Sequence, residues 1–291
     1  MKLGFKSLHP VTQLLFFVAV FVFSLSATHP LSLVTAFLCA FIYDMKLRRK
    51  KAISFLIKLI LPLSIFSAVF NGLFNHEGVT VLFTLWGNIN FTLEAVIYGL
   101  VFAIRAGAAI MWLGSFNEIL TNDRIIFLFG RFSPKTALIV SMALRFIPLI
   151  VSQSEEIEKA HRGIGKGKTS GSFIEKIKNA AKRLSVLISW TLERGIDTQN
   201  SMMARGYGLK KRSSYNSYIF SYKDLLFILA VISGKIMFIL SREELTSHYI
   251  PSIVVPFPSL LGSVFSVIFT LLMLSPLIFD IKEEKKWSIS V

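Results

Sequence analysis

The chain has 291 residues, 53% of them hydrophobic and only 17% charged, with 27 phenylalanines and a mean hydropathy of +0.62. A soluble domain runs at about 45–50% apolar and about 25% charged, so this composition excludes disorder and points away from a soluble globular domain or a disulfide scaffold. The net charge of +15 would suggest nucleic acid in a soluble protein, whereas in a membrane protein the same excess collects in the cytoplasmic loops.

A helix needs about 20 apolar residues to cross about 30 Å of hydrocarbon. The first apolar block runs from Val11 to about Ala27 and stops at Thr28-His29-Pro30. A shorter one, Leu31 to about Tyr43, follows at once. Pro30 lacks a donor and restricts His29, so the break predicts a tight helical hairpin. Further blocks lie at about Ile53–Phe70, with Pro62 inside, and at about Phe91–Trp112. Val79–Trp86 is too short to cross and is expected at the outer surface. The sequon Asn90-Phe91-Thr92 abuts a span and is expected to be a chance match. The last blocks are Leu225–Leu240 and Leu260–Phe279.

About six crossings place both termini on one side, and the charges agree. Residues 122–223 hold eighteen Lys and Arg. Residues 71–90 hold none, and residues 241–258 hold only Arg242. This positive-inside pattern predicts cytoplasmic termini and a cytoplasmic segment at 116–223. It also accounts for the basic excess without nucleic acid. The expected fold is an all-α polytopic membrane bundle, with a cytoplasmic pair of long amphipathic helices. Residues 1–115 would supply about four spans, and residues 224–291 about two spans and a basic tail. No cleavable signal peptide is expected at the N-terminus.

Within the fourth block, Gly99, Ala103 and Gly107 recur every four residues, the spacing that lets membrane helices approach closely. Arg105 sits mid-span on another face. It is either functional or satisfied by carbonyls within the bundle. Lys58 and Lys235 lie nearer span ends and can snorkel. No relay of Asp, Glu and His runs through the spans, which disfavours a proton-driven carrier. One cysteine, Cys39, leaves no intramolecular disulfide, no Cys-based zinc site and no CxxC.

The segment 116–223 is the informative part. Ala137–Val151 is apolar but only fifteen residues long, and contains Arg145 and Pro148. It then turns charged at Glu155, Glu156, Glu158 and Lys159, which predicts a helix at the membrane interface with a solvated glutamate end. A second helix is predicted over Ser172–Ala204. Phe173, Ile177, Ala180, Leu184, Ile188 and Leu192 recur three or four apart on it. Between them Gly163–Ser172 reads as a flexible linker. It mimics a P-loop but fails as one. Gly163 stands one residue too close to Gly167-Lys168-Thr169, Arg162 fills the required glycine position, and no strand precedes it. ATP binding by this chain is therefore rejected. The five histidines are scattered and no hydrolase signature appears, so no catalytic, cofactor or metal site is expected.

Both predicted cytoplasmic helices end alike, at His161-Arg162-Gly163 and at Ala204-Arg205-Gly206. Gly just past a helix and Arg in its last turn have an ordinary structural explanation. Arg-Gly also occurs at Arg194, so position carries more weight than the dipeptide. Two such ends on consecutive cytoplasmic helices resemble the T component of energy-coupling factor (ECF) transporters, the EcfT/CbiQ family. Leu144–Ile150 (LRFIPLI) is similar to that family's first coupling helix, and Ser201–Tyr207 (SMMARGY) to the end of its second. His161 departs from the Ala that the family often has there.

The resemblance implies a non-catalytic subunit of a bacterial or archaeal cell membrane. Two cytoplasmic ABC ATPase subunits would bind the coupling helices, with Arg162 and Arg205 entering grooves on them. A membrane S component would bind a vitamin or metal ion. Two readings stay open on the residues alone: the permease of a conventional ABC importer, which usually has one short coupling helix, and a membrane-embedded enzyme, which should show clustered His, Asp or Glu.

Overall fold

The computed structural model describes residues 4–85, 89–164, 172–209, 218–241, 246–257 and 259–289. In chain order its elements are α1 (Pro10–Ser26), α2 (Pro30–Arg48), α3 (Lys50–Phe74), β1 (Val81–Leu85), β2 (Ile89–Thr92), α4 (Leu93–Ile119), α5 (Asn122–Phe132), α6 (Pro134–Gly163), α7 (Phe173–Ala204), α8 (Tyr222–Leu240) and α9 (Leu260–Ile289). The chain divides into two compact units, Met1–Arg124 with Tyr218–Val291, and Ile125–Ser217.

The protein is an all-α polytopic membrane bundle. Among the described residues five helical stretches are long and apolar enough to cross a bilayer: Pro30–Arg48, Lys50–Phe74, Leu93–Ile119, Lys135–Gly163 and Gly262–Lys282. α1 is apolar but shorter. α8 is interrupted by Lys223, Asp224 and Lys235. The stretch Lys135–Gly163 is long and apolar enough to cross, although its sequence reads as interfacial. The predicted hairpin between α1 and α2 is present. His29 caps α2, its ring nitrogen accepting from the Leu31 N–H at 3.3 Å.

Three features depart from the expected helices. Val81–Leu85 pairs antiparallel with Ile89–Thr92, so Phe91 lies in a strand and the fourth span starts at Leu93. The hairpin stacks Phe83 on Phe91, with ring centroids 4.6 Å apart, a cross-strand aromatic pair. Thr92, the last residue of the sequon, is fully buried. α5 is an additional helix. Within α3, Leu56–Ile60 forms a π turn just before Pro62. Proline has no N–H to bond the preceding turn, and such breaks in the ladder are where helices adjust.

The first unit is closed by aromatic rings. Phe5, Phe16, Phe17, Tyr43 and Trp112 are essentially inaccessible. Phe16 and Trp112 meet edge to face at 6.0 Å. α4 packs on α1, α2 and α3, while α8 packs on α1 and α9. Gly99 is where α4 and α3 come closest. A Cβ there would lie 2.4 Å from the Ser67 carbonyl oxygen, and Ser67 Oγ donates to the Gly99 carbonyl at 2.9 Å. The small-residue stripe is thus a packing face, as its spacing predicts.

Two buried carboxylates of this unit, Asp44 and Asp224, are matched. Asp44 is fully buried and takes a two-pronged ion pair from Arg48, at 2.7 and 2.9 Å. Ser115 Oγ adds a third bond at 3.3 Å. Asp224 caps α8 through the Ser221 N–H and accepts from the His9 N–H at 2.9 Å and Thr12 Oγ1 at 3.2 Å. One carboxylate thereby fastens the start of α1 to the start of α8. A buried carboxylate is tolerated only with such partners.

Candidate functional site

In the second unit α6 and α7 run antiparallel. Two cavities show the pairing. One of about 230 Å³ lies between Ser154 and Ile157 of α6 and Ala180, Arg183, Leu184 and Leu187 of α7. A larger groove of about 830 Å³ lies between the Leu138–Leu149 stretch of α6 and the Arg194–Tyr207 stretch. Later residues of α7 thus face earlier residues of α6.

This pairing separates the two Arg-Gly positions. Arg205 and Gly206 line the larger groove, with Arg145, Arg194 and Asp197. Arg162 stands thirteen residues beyond Leu149, the last α6 residue of that groove. At 1.5 Å per residue that is about 20 Å along the helix. Arg162 and Arg205 therefore stand at opposite ends of one helix pair.

The two ends do not finish alike, contrary to the sequence expectation. Arg205 is the C-cap of α7. The Gly206 N–H bonds the Met203 carbonyl at 3.0 Å and the Tyr207 N–H bonds the Met202 carbonyl at 2.9 Å. With Gly206 at φ +82°, this is a Schellman close, which needs a left-handed residue. Gly163 instead remains the last helical residue of α6, and a Cβ there would meet nothing within 4 Å. The remaining linker, residues 165–171, lies outside the described residues.

Glu158 also departs from its expected solvated position. It is 6% exposed. It accepts from Arg162 Nε at 3.2 Å, one turn along α6, and pairs with Arg183 of α7. Arg183 is itself largely covered. His161 Nδ1 is shielded and has no partner among the described residues. Ala204 is the last helical residue before the cap. The start of α7 is fixed by a capping box, the Ser172 N–H donating to Glu175 at 3.0 Å.

Arg105 of the first unit donates to the Leu25 carbonyl at the end of α1, one of the two alternatives its sequence leaves open. It is only half-buried. Close by, Tyr249 donates to the Thr28 carbonyl at 2.8 Å. Burial pushes that phenol above its ordinary value, opposed in part by the Arg105 charge. Among the described residues no three His, Cys, Asp or Glu side chains gather to hold a metal ion.

Residues 5–215 match the model of the family CbiQ, described as cobalt transport protein. That match covers well over half of the chain. The chain belongs to the CbiQ family. Its relatives include the energy-coupling factor transporter transmembrane protein EcfT of Brevibacillus brevis, 28% identical over 68% of this chain and 78% of the relative. The EcfT of Macrococcus caseolyticus is 29% identical over 60% of this chain and 70% of its own length. That of Listeria innocua is 36% identical over a shorter stretch, 36% of this chain and 41% of the relative. The protein is thus a multi-pass component of a membrane transporter family, and the matched region includes α6 and α7.

Sequence reasoning named both arginines but missed Arg183, and it placed Glu158 in solvent. The spacing of Glu158 and Arg162 at i and i+4 is a legible pairing signal. The Arg183 contact depends on how the two helices meet, and spacing within one helix does not reveal that.

Proposed function

We propose that this chain is the T component of an ECF-type importer, coupling ATP hydrolysis by two ABC ATPase subunits to uptake through a substrate-binding S component. The observation that carries the reading is the placement of Arg162 and Arg205 at opposite ends of one antiparallel pair. One helix pair then offers two separate docking points, one for each ATPase. A guanidinium at a helix end can make paired, charge-assisted bonds to carboxylates or carbonyls. His161 and Gly163 flank one point, and Ala204 and Gly206 the other. Helices are stiff enough to pass a displacement from these ends by shear or hinge motion.

The positive-inside distribution supports cytoplasmic placement of α6, α7 and both termini. The chain would be neither an enzyme nor the specificity subunit. Purified alone, it would not hydrolyse ATP or hold a vitamin or metal ion tightly, and the cargo would follow the S component. The test is Arg162→Ala, Arg205→Ala and the double variant, assayed at equal expression for ATPase recovery and uptake. Charged hydrogen bonds contribute about 1.5–3 kcal/mol each, so each single variant should lose part and the double nearly all. Full ATPase recovery and uptake in the double variant would refute the reading.

A further inference from the structure

We propose that Glu158 is a positioning residue that links the docking arginine Arg162 to the second helix of the pair. The inference rests on the proposed function above and adds to it a route for the movement. Glu158 lies on α6 one turn before Arg162 and is nearly covered. One of its carboxylate oxygens accepts from Arg162 Nε at 3.2 Å, and the other pairs with Arg183 of α7. The two arginines differ in exposure. The Arg162 side chain is 68% exposed and Arg183 only 14%. One partner of the carboxylate is thus open to a docking protein, while the other is held between the helices.

This arrangement makes the carboxylate a shared acceptor. When Arg162 turns toward an acidic or carbonyl-rich groove, its bond to Glu158 weakens while the pair with Arg183 remains. The α6–α7 contact therefore responds to what happens at Arg162. Beside it the helices leave a cavity of about 230 Å³, lined by Ser154, Ile157, Ala180, Arg183, Leu184 and Leu187, so the ion pair adjoins space in which the contact can shift. At the Arg205 end, by contrast, a backbone Schellman close fixes the terminus. The helix pair has one end set by backbone geometry and one set by a shared charge.

The experiment uses the complete transporter in proteoliposomes. Glu158→Gln keeps the side chain's shape, Arg183→Gln shortens it, and each removes one charge. Each variant should retain both ATPases and hydrolyse ATP, while transport per ATP falls about fivefold, the factor that roughly 1 kcal/mol represents. The Glu158→Gln/Arg183→Gln double should be no worse than either single, because both break one link. The charge-swapped Glu158→Arg/Arg183→Glu protein restores a cross-helix ion pair but puts a second cation one turn from Arg162 in place of its acceptor, so it should stay uncoupled, and it carries the test if a single variant fails to insert. Unchanged transport per ATP in the singles, multiplying losses in the double, loss of ATPases in proportion to transport, or fully coupled transport by an intact swapped protein would each overturn the proposal. Failure of the proposed function shows elsewhere, as ATPase recovery unaffected by Arg162→Ala with Arg205→Ala.

Discussion

The bundle and the α6–α7 pair solve the same problem, holding apolar helices with charges on them, in opposite ways. In the bundle two carboxylates are enclosed and matched: Asp44 by Arg48 and Ser115, Asp224 by His9, Thr12 and Ser221. Its helices α3 and α4 touch at Gly99, where even one Cβ has no room. In the pair, α7 has no buried residue along its 32 residues. Phe173, Ile177, Leu184, Ile188 and Leu192 are all more than half exposed, and the helices share a charge cluster, Glu158 with Arg162 and Arg183. Few buried contacts mean low local stability. The bundle takes its shape from its own side chains, whereas the pair leaves most of its apolar side chains exposed.

The comparison breaks most sharply if α7 need not be a continuous rod. Ala180→Pro removes a backbone bond at mid-helix, at a cost of about 3 kcal/mol or more. Because α7 has no packed core to hold a bent form, the loss should appear as hydrolysis without transport, or as failure to retain the ATPases. Normal coupled transport by this variant would show that α7 does not transmit movement as a rigid element.

A change of the same kind in the bundle should act on folding instead. Gly99→Val places a branched side chain against the Ser67 backbone, where the first added atom already overlaps. Overpacking costs about 1–3 kcal/mol, and here the obstacle is backbone that cannot rotate away. The expected outcome is a lower yield of monodisperse protein in mild detergent. Whatever survives should couple normally, and uncoupled but well-folded Gly99→Val protein would erase the distinction between the regions.

Arg105→Leu should have a smaller effect. It removes a charged bond to the Leu25 carbonyl, a loss of about 1.5 kcal/mol, from a side chain that is only half-buried. A reduced thermal midpoint is expected, with ATPase recovery intact. Loss of the ATPases from folded Arg105→Leu protein would tie this arginine to docking.

The sequence made some of this legible and hid the rest for physical reasons. Hydropathy is a property of composition over one span, so α2, α3, α4 and α9 can be read directly. The 3.6-residue repeat carries α7 for the same reason. The strand pair before α4 is short and borrows residues from an apolar block, so it reads as the start of a helix. Asp224 and Glu158 look like ordinary charged helix residues. Their burial depends on neighbours 215 residues away in one case, His9, and on another helix in the other, Arg183. The two Arg-Gly ends were visible as a repeated word, but not as two different backbone structures.

That last difference yields the smallest and sharpest prediction. Gly206 has φ +82° and closes α7, so Gly206→Ala must force an L-residue into the left-handed region, at about 1 kcal/mol. Gly163 is helical with open space around its Cα. Gly163→Ala should therefore stabilise α6 by about 0.4–1 kcal/mol, through a less flexible unfolded chain. Thermal midpoints of the detergent-solubilised variants should move in opposite directions, down for Gly206→Ala and up for Gly163→Ala. ATPase recovery gives the second readout. If Gly206 serves to hold Arg205 at a fixed angle, Gly206→Ala should weaken recovery while Gly163→Ala leaves it unchanged, because Arg162 is steadied by Glu158 and not by a backbone close. Equal losses from both substitutions would mean that the two glycines are contacted directly by the docking proteins, and that the repeated Arg-Gly is a recognition element at both ends.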